Sequence, residues 1–226
     1  MPSTLVHVAL AGLIAAALLP DDYFDSRAVL VILGIAVIPD LDVFFDFLID
    51  GAHRSLGHNL VFPAIAGGLL AVDLRRGENS TIRRRFGERG GPVLGVGLVG
   101  LVVGGIALDY VVNGVNLFWP IHDQFYTANG KAVVSNQRGF VQTFVDLSPE
   151  PPSDGSGGGG NKGSKNVRTT DNTHYSTGVD PSDGKESKNV ERIFPLVRSG
   201  WQLLVVATSA VVIAVKLRYG GADGSR

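Results

Sequence analysis

The 226-residue chain has no cysteine and a single methionine. Without cysteine there are no disulfides and no thiolate metal sites, so imidazole and carboxylate are the only strong metal ligands available. It also lacks an excess of either charge. Twenty Lys and Arg stand against 21 Asp and Glu, a formal net charge of −1. No basic bias points to nucleic acid, and none is expected as a partner. Charge is scarce throughout, at 18% of residues against 45% hydrophobic.

What charge there is lies between long apolar blocks. Five blocks stand out: Leu5 to Leu19, Ala28 to Ile49, Leu56 to Leu74, Pro92 to Pro120 and Gly200 to Leu217. A helix of about 20 apolar residues crosses a hydrocarbon core. The last two blocks meet that length and the first is short. A cleaved signal peptide is the rival reading of the first block, but no Lys or Arg precedes its apolar run. Pro39 disfavours helix at the residue before it, which predicts a helix to about Ile38, a break at "PDLD" and a second helical piece to about Ile49. Asp42, Asp46 and Asp50 then share a face.

The stretch "DLRRGENSTIRRRFGERGG" holds six arginines against three acids. Short Arg-rich loops stay cytoplasmic, which sets an orientation. From Ser148 to about Asn189 the chain is mostly Gly, Ser, Asp, Asn, Lys and Pro. Such a composition buries too little apolar surface to offset its ordering entropy, so disorder is expected there.

The unusual polar residues fall at matching ends of successive blocks. His7 opens the first block, Asp40 and Asp42 lie late in the second, His53 and His58 open the third, and Asp109 lies late in the fourth. Antiparallel alternation brings all of these to one side, the extracytoplasmic side if the arginine loop is inside. A membrane-buried carboxylate costs on the order of 2.5–3.5 kcal/mol and usually marks function. The bland alternatives are a packing hydrogen bond from Asp109 to Asn113, a capping or interface role for His7, and a headgroup anchor for Arg54. His53 and His58 are five apart and diverge on a regular helix. They converge only if His53 sits in the entering loop. His122 and His174, in the long connection, read as solvated.

"PDLD" at 39 to 42, "HRSLGHN" at 53 to 59 and "LDYVVNGVNLFWP" around Asp109, together with His7, resemble a family of LexA-regulated inner-membrane proteins regarded as metal-dependent hydrolases. The resemblance covers roughly residues 1 to 125. It implies a ligand set of His7, Asp40, Asp42, His53, His58 and Asp109. Its distant similarity to zinc-dependent phospholipase C and P1-type nuclease implies phosphoester hydrolysis. Gly105 stands where many relatives carry a histidine.

These readings combine into an all-α, polytopic membrane bundle of about five transmembrane segments, with a long, partly disordered loop before the last helix. The expected organisation is a hydrolase-like domain at 1–125, a semi-ordered segment at 126–147, a disordered linker at 148–192, and a final helix and tail at 193–226. The expected function is hydrolysis of a phosphoester or lipid-like substrate by a metal-activated water. Asp40, Asp42 and Arg54 are the catalytic candidates, with a divalent ion, Zn or Mn, held by the six ligands. Expected partners are membrane lipids, and the expected location is the plasma membrane with the site on its extracytoplasmic face. A non-catalytic metal-binding or transport protein is the alternative, and a structural protein using the cluster as packing glue is a third.

Overall fold

Proline and small polar residues punctuate the apolar blocks, and the helices in a computed structural model of the chain begin and end at them. The structure describes residues 3–45, 53–128, 132–135, 137, 139–142, 167–182 and 189–220. The first helix, α1, is Thr4–Leu18. Asp25 starts α2, Ser26–Val37, by accepting a hydrogen bond from Ala28 N at 2.8 Å. This is a standard N-cap for otherwise orphaned amides. α2 stops two residues before Pro39, and the chain continues as a 3-10 helix over Ile38–Phe45. Helix α3, Val61–Leu74, carries Pro63 in its first turn, where a missing N–H breaks no helical bond. A short basic helix, α4 (Thr81–Phe86), follows. Next comes α5, Gly90–Val99, which runs through a π-helical stretch, Gly100–Ala107, into α6, Leu108–Val112. Strands β1 (Ala132–Ser135) and β2 (Gly139–Gln142) form an antiparallel hairpin with Val133 opposite Val141. The last helix, α7, is Gly200–Tyr219.

The protein is therefore an all-α membrane protein carrying one small hairpin among its described residues. Three helical segments are long and apolar enough to cross a membrane: Ser26–Phe45, Gly90–Val112 and Gly200–Tyr219. Two shorter apolar helices, Thr4–Leu18 and Val61–Leu74, lie in the other two of the five apolar blocks. Leu30, Leu69 and Leu204 are each more than 60% exposed, which suits hydrocarbon rather than water. The expected helical piece to Ile49 is described only as far as Phe45, and Asp46 and Asp50 lie outside the described residues.

The chain divides into two units. One comprises Pro2–Pro39, Leu60–Ala107 and Pro195–Arg226. Within it α1 packs against α2, α7 and the π-helical stretch, over a core of Ala15, Leu19, Phe24, Ala28, Val29, Ile32 and Val93. Small residues permit the close approach, as is common between membrane helices. A Cβ on Gly104 would lie 3.2 Å from both Ala11 N and His7 O, and one on Gly12 would lie 2.6 Å from Ile213 Cδ1. Lys216 of α7 donates to the carbonyls of Ala16 (2.7 Å) and Leu19 (3.1 Å), closing the open C-terminal end of α1. The other unit comprises Asp40–Asn59 and Leu108–Phe194. It holds most of the polar residues singled out in the sequence.

Candidate metal centre

Asp42 is the hub of this second unit. It sits on the 3-10 helix, 2% exposed, and both of its oxygens are engaged. Oδ1 meets His53 Nδ1 at 2.7 Å. Oδ2 accepts from Arg54 N (3.0 Å) and Gly57 N (3.1 Å), and meets His58 Nδ1 at 2.9 Å. One carboxylate thus wraps the whole of "HRSLGH" around itself. Asn59 finishes the wrap by donating from Nδ2 to the carbonyls of Ser55 and Leu56.

That wrap explains the five-residue spacing of the histidines. Both lie in the irregular loop ahead of α3 rather than on a helix, and their rings meet edge to face with centroids 5.8 Å apart. Within the loop Arg54 takes a left-handed backbone conformation, φ 69°, uncommon for a residue with a side chain. The conformation is held from both sides, because Arg54 N donates to Asp42 and Arg54 O accepts from Asn116 N at 2.9 Å. Strain of this kind persists where its surroundings over-determine it.

His58 is fully buried and faces three carboxylates. With Nδ1 on Asp42, its Nε2 lies 3.0 Å from Asp109 Oδ2 and 3.4 Å from Asp40 Oδ1. Burial works against an imidazolium here. The charge of Asp42, joined by hydrogen bonds to Asp109, Asp40 and Asp42, outweighs it and raises His58 well above its ordinary value. Asp40, His58 and Asp109 each offer a donor atom, and these atoms lie within 4.8 Å of one another. Mixed nitrogen and oxygen donors at this spacing suit a divalent cation. Asp42 has the place that a carboxylate behind a metal-ligating histidine usually occupies.

Arg54 is 1% exposed and reaches Asp109 Oδ1 from Nη2 and Gly114 O from Nη1, each at 3.3 Å. Its guanidinium lies 4.6 Å from the ring centroid of Tyr175. The bland alternative, a packing bond from Asn113 Nδ2 to the Asp109 side chain, is not made. Asp109 turns to Arg54 and His58, and Asn113 Nδ2 has no partner among the described residues.

The structure thus brings Asp40, Asp42, His53, Arg54, His58 and Asp109 together in one unit. His7 is 1% exposed and sits in α1, in the other unit. Of the histidines expected to be solvated, His122 is exposed and pairs with Gln124. His174 is not: its side chain is only 14% exposed and lies 3.8 Å from Asp180.

Sequence reasoning missed the contribution of residues 167–182, which lie inside the expected linker. There Arg168 O accepts from Phe125 N at 2.9 Å. Thr170 donates from Oγ1 to Asp123 at 2.7 Å. Tyr175 donates to Asn113 O at 3.1 Å and stands edge-on to His53. Arg168, His174 and Tyr175 are the signal the sequence offered, with Tyr175 an aromatic residue in a stretch otherwise without aromatics.

Residues 1–160 match the model of a family described as YdjM inner membrane protein. The match spans well over half of the chain, and the chain belongs to that family. No curated protein and no solved structure matches it.

Proposed function

We propose that this member of the YdjM inner membrane family is a membrane-embedded metal-dependent hydrolase acting on a phosphoester or lipid-like substrate. The observation that carries the reading is the convergence of buried His58 and Asp109 with half-buried Asp40, with Asp42 fixed behind His58. In this proposal Asp40, His58 and Asp109 hold a divalent ion, Zn or Mn. A divalent ion at such a site supplies Lewis acidity and lowers the pKa of a coordinated water toward ~7.

The remaining roles fall to the chain itself. Asp42 fixes the ring of His58 and the register of its loop. His53, on the other oxygen of Asp42, is 7% exposed and borders the cluster. Asp40, at 16% side-chain exposure, is the most accessible of the three carboxylates and the best placed to take a proton from an entering nucleophile. Arg54 offsets the carboxylate charge and is suited to an anionic transition state. The arginine-rich segment between α3 and α5 supports a cytoplasmic placement of that loop, and with it an extracytoplasmic site.

Gly105, where the family resemblance implies a histidine in many members, favours a second reading, a metal-binding or transport protein without turnover. The two separate on the full-length protein in detergent, assayed for bound metal and for cleavage of a generic phosphodiester. Stoichiometric metal and turnover, both lost in His58→Ala, are expected. Metal without turnover selects the second reading, and no metal in the parent protein overturns both.

A further inference from the structure

Arg54 is an unusual buried cation because its Nε is unspent among the described residues and its two side-chain bonds are long. A guanidinium offers five N–H groups. Here two long bonds are made, and Nε has no partner among the described residues. A desolvated guanidinium left in that condition is poised for an acceptor-rich group. Its planar fork matches phosphate and carboxylate oxyanions better than any other side chain does.

The segment 167–182 meets Arg54 through Tyr175. The Tyr175 ring stacks under the guanidinium at 4.6 Å and stands edge-on to His53 at 6.4 Å. The phenol is itself fixed, donating to Asn113 O and accepting from Arg168 Nη2. The Arg168 guanidinium also lies over the same ring, at 5.2 Å, and over Phe125 at 5.6 Å. Burial raises the Tyr175 phenol above its ordinary value, so it remains a neutral donor. The segment therefore brings a second cation and a rigid aromatic plate to the buried arginine.

We propose that Tyr175, backed by Arg168, is a positioning residue that presents Arg54 to a phosphate-type oxyanion of the substrate. This rests on the metal-site reading in one respect. A cation that shares Asp109 would leave Arg54 with less carboxylate to serve and more of its fork for the incoming anion. The oxyanion can be a free phosphate or a lipid headgroup phosphodiester, since both present the same acceptors.

The test uses the full-length protein in nanodiscs, with inorganic phosphate as one probe and glycerophosphocholine as the other, titrated calorimetrically with and without Mn²⁺. Tyr175→Leu should weaken binding of the preferred probe by about tenfold, the scale of a desolvated cation–π contact, with Mn²⁺ affinity and melting temperature unchanged. Tyr175→Phe, which keeps the ring, should restore most of that loss. Arg168→Gln, at a half-buried position, should weaken binding in the same direction and guards against a folding defect in Tyr175→Leu. The inference is overturned if neither probe binds the parent protein, if Tyr175→Leu binds as the parent does, or if oxyanion binding, metal binding and melting temperature all fall together. Oxyanion binding that depends on Tyr175 in a protein that takes up no metal would sink the metal reading and leave this one standing.

Discussion

Asp42 and His58 face each other across 2.9 Å, Oδ2 to Nδ1, and that one contact fixes which imidazole nitrogen points at Asp40 and Asp109. Because the same carboxylate also holds His53 and two backbone amides, Asp42→Ala removes four contacts at once. Loss of one partner from a buried ionic network costs roughly 3–5 kcal/mol. Asp42→Asn keeps the shape but not the charge. It should lower metal affinity about 10- to 100-fold, as loss of an outer partner typically does. Metal content by mass spectrometry and thermal melting of the two variants check both expectations.

Metal uptake should rise with pH. His58 is raised above its ordinary value, so at and below neutrality it carries a proton that a metal ligand must shed. Affinity should therefore fall as pH drops, by about tenfold per unit if one proton is displaced per ion. It should level off above the His58 value. Isothermal titration of Mn²⁺ at a series of pH values in buffers of different ionisation enthalpy counts the released proton, and a flat profile would contradict a His58 ligand.

A different pH dependence belongs to the membrane-edge pair Asp25 and Arg89, whose side chains meet at 2.8 Å. The hydrogen bond from Arg89, with that from Ala28 N, holds Asp25 down at about 2. A depressed carboxylate stabilises the fold above its unfolded value near 4, and that contribution is lost as pH falls toward 2. The pair is half-exposed, so the effect should be small and should shrink further in high salt. Asp25→Ala should cost about 1 kcal/mol, mainly as a lost cap on α2, and should flatten the acid limb of the melting curve.

Gly104 and Gly34 should answer differently to the same change. A methyl on Gly104 meets α1 backbone at 3.2 Å, whereas one on Gly34 meets nothing within 4 Å. Gly34→Ala should be neutral or slightly stabilising, since alanine favours helix. Gly104→Ala should force α1 away and destabilise by about 1–3 kcal/mol, as overpacking does. Yield of folded protein and melting temperature in a single detergent distinguish them.

Much of the candidate metal group was legible in the sequence because helix alternation is so strict a rule. Ionisable side chains within apolar blocks are rare enough that Asp40, His58 and Asp109 announced themselves. The division of labour among them was not legible. Asp40 and Asp42 sit about 160° apart on an α-helix but only about 120° apart on a 3-10 helix. That tightening over Ile38–Phe45 lets both carboxylates address His58. Nor did "HRSLGHN" reveal that Arg54 would adopt positive φ, since the cause is a pair of hydrogen bonds to distant residues. Tyr175 and Arg168 were hidden by averaging. The glycine- and serine-rich composition around them described the stretch as a whole and masked a short folded part.

The lysine near the end of α7 seals carbonyls of α1 that lie about 200 residues earlier in the chain. At about 5–20 residues per second, the ribosome takes roughly 10–40 s to cover that distance. Throughout that interval the last turn of α1 lacks its seal. The C-terminal end of α1 is thus completed only after α7 has been synthesised.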